Sequence, residues 1–94
     1  MLQLRIISPD HLTDTVLEHL RAEPGAINIT VHVGSALDPS GDLVVVDVVR
    51  ERGNAVMERL VEMELTKLGS ISITTLDAVS SARADAAEAA APGS

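Results

Sequence analysis

The chain contains no cysteine, and this absence removes several kinds of chemistry at once. Without cysteine there is no disulfide, no thiolate nucleophile and no metal site that uses thiolate ligands. Disulfides are the usual sign of an oxidising compartment, so their absence leaves the redox compartment undetermined.

Aromatic side chains are also absent, since the 94 residues include no Phe, Tyr or Trp. Aromatic residues supply much of the buried area of a small domain, so the core must consist of Val, Leu and Ile. A chain of this length forms one domain, and such a core gives it only a thin margin of stability. The composition therefore predicts a second apolar contact, with another copy or with part of a longer chain.

Positive charge is scarce, because seven Lys and Arg face 14 Asp and Glu and leave a net charge of −7. This charge repels phosphate backbones, and RNA-recognition domains also need sheet aromatics on which bases stack. We therefore expect no nucleic-acid partner.

Long apolar runs are missing as well. The longest, at residues 43–46, is far shorter than the roughly 20 residues that span a membrane. The N-terminal stretch MLQLRIISPD has no basic segment followed by a long apolar run, which is the pattern of a signal peptide. We expect a soluble piece that is not exported by a signal of its own.

The spacing of the apolar residues predicts six elements in the order strand, helix, strand, strand, helix, strand. The segment GSALDPSG, at 34–41, has the Gly, Pro and Asp content of a long hairpin loop. Along the second strand, a period of two places Ile27, Ile29, Val31 and Val33 on one face and Asn28, Thr30 and His32 on the other. The predicted strands are 1–7, 26–33, 42–49 and 71–76, and the predicted helices are 9–23 and 50–66.

Two strand–helix–strand units joined by a hairpin form the ferredoxin-like βαββαβ arrangement. This α+β fold has a four-stranded antiparallel sheet in the order 4-1-3-2, with both helices on one face. We assign it to residues 1–76. Residues 77–94 are rich in alanine, which predicts a helical or flexible tail. We expect that the core does not need this tail and that Pro92 ends it.

The third strand, GDLVVVDVV, is the most apolar segment and carries one carboxylate, Asp47. A buried unpaired carboxylate is costly, so the even-numbered valines are predicted to face the helices and Asp47 to lie on the open sheet face. There we expect Asp47 to pair with Arg5 or His32. The open face is the predicted interface, with Arg5, Ile7, His32, Leu43, Val45, Asp47 and Val49.

Catalytic signals are weak, and we predict neither an enzyme nor a cofactor. Acylphosphatase-like enzymes need glycines and an arginine after the first strand, and metal-trafficking domains need a cysteine pair there. This chain has Ser8-Pro9-Asp10 in that loop. Domains of ACT type, which bind amino acids between paired subunits, typically have a glycine at the same place. Sensing of a small molecule by an ACT-like domain is the alternative function.

Three histidines are candidates for metal ligands or acid–base groups. His11, Asp14 and Glu18 have the helical spacing of a ligand set that His19 could extend, yet a solvated helix face is the favoured interpretation. For His32, a polar position on the open face is favoured over a ligand.

Asp38 and Asp42 flank Pro39, Ser40 and Gly41 in the hairpin and could contribute to a cation site. Calcium loops carry more carboxylates than this segment does, and turn chemistry explains both residues. We predict no metal site.

Three segments of the chain resemble the N-terminal segment of a family of bacterial membrane proteins. They are LRIISPDHLTDTVLEHL, GSALDPSGDLVVVDVVRE and LGSISITTLD. The family is called domain of unknown function 389, or the uncharacterised hydrophobic domain family. The resemblance covers about residues 1–92 and is strongest at 36–42 and 47–51. It carries over no catalytic residue.

The resemblance implies a soluble domain on the cytoplasmic side of the cell membrane, followed by a transmembrane region. Residues 77–94 would then begin the connection to that region. The expected function is self-association or regulation of the membrane part, and the expected partners are another copy and the transmembrane region of the same protein.

Overall fold

In a computed structural model that describes residues 1–91, the predicted periodicities become strands and helices in the expected order. Short 3₁₀ turns at Asp10–Leu12 and Arg50–Arg52 lead into two of the helices. Residues 92–94, with the helix end expected at Pro92, lie outside the described residues. The elements are β1 (Leu2–Ser8), α1 (Thr13–Arg21), β2 (Ala26–Leu37), β3 (Ser40–Val48), α2 (Gly53–Glu62), α3 (Leu65–Leu68), β4 (Ser70–Thr75) and α4 (Ala82–Ala90).

The four strands form one antiparallel sheet in the order β2-β3-β1-β4. Leu4 of β1 lies between Val46 of β3 and Ile73 of β4, which fixes the register across the sheet. The α+β fold and the predicted strand order are confirmed.

The main core lies between one face of this sheet and the helices α1, α2 and α3. The even-numbered valines of β3 face the helices as predicted, because alternate side chains of a strand point to opposite faces. The fully buried members are Leu4, Ile6, Val16, Leu20, Val44, Val46, Val48, Val56, Leu60 and Leu65.

The hairpin between β2 and β3 is longer than the sequence predicted. Leu37 pairs with Ser40, so only Asp38 and Pro39 form the turn, and the predicted loop at 34–41 is wrong. Both strands continue past the main core and form a projecting arm on which Val33 is 81% exposed and Leu37 is 91% exposed.

A β-bulge near the start of β2 reverses the faces that alternation predicted. Ile27 pairs with Asp47 and Thr30 pairs with Val45, so two residues of β2 lie opposite one residue of β3. Asn28 takes a left-handed conformation there, with φ of 53°, which asparagine tolerates better than β-branched residues. Ile29 therefore packs with the main core while Ile27 lies on the opposite face, and the prediction that they share a face is wrong.

The second predicted helix, at 50–66, is interrupted. It starts as the 3₁₀ turn Arg50–Arg52, continues as α2 and stops at Glu62. Glu64 is left-handed, with φ of 65°, and redirects the chain into the short α3. Leu65 at the start of α3 is fully buried, so the break places an anchor in the main core.

The alanine-rich tail contains α4, whose start is capped by the Ser81 hydroxyl accepting a hydrogen bond from the Ala84 amide at 3.0 Å. Ala84, Ala87 and Ala91 form a second buried cluster with Ile27 and Val49. The tail thus packs on the sheet through a cluster that shares no member with the main core. Within residues 1–91, no helix has both the length and the apolar character that crossing a membrane requires.

Candidate functional site

Five of the predicted interface residues form one continuous area on the sheet face opposite α1 and α2. Arg5 pairs with Val45 in the sheet register, and Leu43 pairs with both Ile7 and His32. Arg5 and His32 are exposed, and the three apolar residues are half-buried. Because Ile7, Leu43 and Val45 belong to neither buried cluster, we call these five residues the open patch.

The other two predicted interface residues are not exposed. Val49 is fully buried and Asp47 is 7% exposed. Val49 packs with Ile27 and the alanines of α4, so the tail covers this end of the face. The expected exposure of both residues is wrong. For Val49 the cover is the tail, whose apolar spacing did not indicate that it would pack there.

Asp47 is held by neutral amides instead of the predicted cations. The Asn28 side-chain amide donates to Asp47 Oδ2 at 2.9 Å, and the Gln3 amide donates to Oδ1 at 3.3 Å. The bulge turns Asn28 toward the carboxylate, and Gln3 lies directly opposite it on β1. Asp47 does not pair with Arg5 or His32. Arg5 lies beside Val45 and His32 lies beside Leu43, both farther along the sheet.

A second buried carboxylate, Asp42, joins three parts of the fold at the base of the hairpin arm. The Thr13 hydroxyl donates to Asp42 Oδ2 at 2.6 Å, and the Gly34 amide donates to Oδ1 at 2.8 Å. Thr13 Oγ1 also lies 3.2 Å from the hydroxyl oxygen of Ser8, at the end of β1. These contacts connect β1, the start of α1 and the irregular part of β2.

The hydrogen bonds from Thr13 and from the Gly34 amide hold the pKa of Asp42 below its ordinary value of 3.8, against the opposing effect of burial. Because the folded pKa is the lower one, the ionised carboxylate stabilises the fold above the unfolded pKa. This contribution is lost as the pH falls through the lower folded value.

We therefore expect the stability difference between wild type and Asp42→Asn to be full at neutral pH and to shrink as the pH falls below the ordinary pKa of 3.8. Urea unfolding followed by circular dichroism across this range measures both. Carboxylates elsewhere titrate in both proteins and cancel in the difference. A difference that stays constant with pH would show that the Asp42 charge does not stabilise the fold.

Glu23, the third buried carboxylate, joins the start of β2 to the turn before α2. Arg52 Nε and Nη2 donate to Glu23 Oε1 at 2.9 and 2.8 Å, and the Gly25 amide donates to Oε2 at 2.8 Å. Burial raises the pKa of Glu23, but the bonds from Arg52 and Gly25 outweigh it and lower the pKa overall. All the polar atoms of this carboxylate have partners, which is typical of a structural group.

The candidate metal-binding sets of histidines and carboxylates do not come together in the part of the chain that the structure describes. Among residues 1–91, no group of three or more His, Asp and Glu side chains lies close enough to hold a metal ion. His11, Asp14 and Glu18 are exposed on the first helix and the turn before it. His19 Nε2 lies 3.2 Å from the Val56 carbonyl oxygen, so this nitrogen is hydrogen-bonded within the fold.

A cleft of about 540 Å³ lies between the end of α1, the start of β2 and α4, and we call it the tail cleft. Arg21 and Arg83 line it together with Ile27, Ile29 and Ala87. The sequence could not indicate this cleft because it exists only where the tail meets the bulged strand. Arg21 and Arg83 are far apart in the sequence, and no motif connects them.

No protein-family model matches the chain, and no curated protein matches it. The resemblance to the membrane-protein family stays a prediction.

Proposed function

We propose that this chain is a non-catalytic domain that acts by self-association through the open patch. One observation carries the proposal: Ile7, Leu43 and Val45 lie side by side on β1 and β3 and pack into neither apolar cluster. Adjacent uncovered aliphatic side chains on a sheet are a feature of contact surfaces.

We further propose, from the sequence resemblance, that the domain belongs to the cytoplasmic side of a multi-span bacterial membrane protein. Self-association would then bring membrane regions together or regulate them.

The size of the patch indicates a weak contact. Ile7, Leu43 and Val45 are half-buried within the domain already, so an interface centred on them buries less area than a stable dimer needs. A two-fold axis through the patch lets each copy present the same residues to the other. Each copy carries a charge of −7, so repulsion opposes association and added salt should strengthen it.

Sedimentation equilibrium tests this function through Leu43→Asp. The wild-type domain is expected to show a reversible monomer–dimer equilibrium that shifts toward dimer at higher salt. The variant places a charge in the apolar centre of the patch and should weaken the dimer by at least about tenfold, or about 1.4 kcal/mol.

Val61→Asp is the matched control, because Val61 is an aliphatic residue 49% exposed on α2, away from the sheet. Val61→Asp adds the same charge outside the patch. Its dissociation constant should therefore stay within about twofold of the wild-type value. A wild-type protein that remains monomeric at millimolar concentration would sink the proposal. So would equal weakening by both variants, since that would place the contact elsewhere.

A further inference from the structure

The tail cleft combines positive charge with a concave shape in a chain that is otherwise acidic. Arg21 at the end of α1 and Arg83 at the start of α4 line it from two sides. Within residues 1–91, neither guanidinium has an ion-pair partner. Glu23 also lines the cleft, but its charge is matched by Arg52.

The remaining charge of the cleft lining is therefore that of two arginines, against a net charge of −7 for the chain. Unpaired guanidinium groups at one site attract carboxylate and phosphate groups, which their planar donors match in shape. The cleft is complementary in charge to an anion, although the whole molecule repels one.

Part of the cleft lining is apolar. Ile27 and Ile29 come from the two sides of the bulge, and Ala87 comes from the tail. β2 is an edge strand, so no further strand occupies the space beside it. This apolar part of the lining accommodates a short aliphatic group next to the charged one.

We propose that the tail cleft binds a small organic anion. Its carboxylate or phosphate group lies between Arg21 and Arg83, and its short aliphatic part contacts Ile27, Ile29 and Ala87. Since the two arginines belong to α1 and α4, the anion joins the tail to the helical layer. This site is separate from the open patch and does not depend on self-association.

The test is an NMR titration of amide resonances in the full chain, at constant ionic strength and at a concentration where the domain is monomeric. The probes are butyrate, inorganic phosphate and neutral butyramide, which matches butyrate in size. Butyrate or phosphate should cause saturable shifts at residues 21–29 and 83–90, with a dissociation constant on the order of millimolar for so small a ligand. The stronger of the two anions identifies the ligand as a carboxylate or a phosphate.

Arg21→Gln and Arg83→Gln should each weaken the binding of the anion about fivefold, and the double variant about 25-fold. Arg59→Gln makes the same change on α2, outside the cleft lining, and should leave binding unchanged. Dispersed spectra of all variants establish that they are folded. Absence of saturable shifts, equal binding of butyramide and butyrate, or wild-type affinity in the double variant would each overturn the proposal.

Discussion

Val46→Asp is expected to unfold the domain, whereas Val45→Asp is expected to leave it folded. Val46 is fully buried between the sheet and the helices, so the new carboxylate would have no water and no partner. The expected cost is about 5 kcal/mol, comparable to the whole stability of a small domain. Val45 is half-buried on the open patch, where an aspartate keeps contact with water and costs about 1 kcal/mol.

Circular dichroism and dispersion of amide resonances measure both variants at the same pH. Val46→Ala serves as a control that separates the effect of charge from that of a cavity, since it should cost only about 2 to 3 kcal/mol. Equal damage from Val45→Asp and Val46→Asp would mean that the two faces of β3 are assigned incorrectly.

Gly41→Ala is also expected to destabilise the fold strongly. Gly41 has φ of 154°, and a Cβ there would collide with the backbone carbonyl oxygen of Ser8 on β1. Backbone atoms cannot rotate away as a side chain can, so β1 and β3 would have to separate beside Asp42. We expect a loss of about 3 to 4 kcal/mol.

Gly34→Ala is the matched comparison, because Gly34 also has a positive φ, of 68°, but has open space where a Cβ would lie. At position 34 the alanine pays only the cost of a positive φ, about 1 kcal/mol. The backbone amide of residue 34 can still donate to Asp42. Urea unfolding of both variants and wild type gives the two free-energy differences. Similar losses for both would show that the close approach to Ser8 relaxes easily.

The strand order and the helix-facing side of β3 follow from the sequence for a physical reason. Each strand has one buried face, so alternation of apolar residues records which side chains point inward. Val44, Val46 and Val48 obey this rule because β3 is a central strand with regular pairing to β1. The antiparallel order then follows from short connections and right-handed crossovers.

Alternation fails where the backbone departs from regular pairing. The bulge at Asn28 moves Ile27 to the face of Asp47, and nothing in the apolar pattern distinguishes this from a straight strand. An asparagine in the middle of a strand was the available signal, because it tolerates the left-handed conformation. Once Asn28 is turned toward Asp47, the carboxylate no longer needs a cation.

The site was only partly predictable because it depends on the tail. Helix propensity indicated that the alanine-rich segment could be helical, but alanine gives too small an apolar signal to indicate a docking face. The docked position of α4 decides which of the predicted interface residues are covered, and it also creates the tail cleft.

The second buried cluster relies on methyl groups from Ala84, Ala87 and Ala91, with Ile27 and Val49 on the sheet side. At about 0.8 kcal/mol for each methyl-sized group, the three alanines contribute about 2 to 3 kcal/mol, and the burial of Ile27 and Val49 adds to this. The tail cluster contains fewer and smaller apolar side chains than the main core, so release of the tail requires less energy than unfolding of the main core. A partner that displaces the tail would find Ile27 and Val49 exposed as a second apolar area, separated by Asp47 from Ile7, Leu43 and Val45.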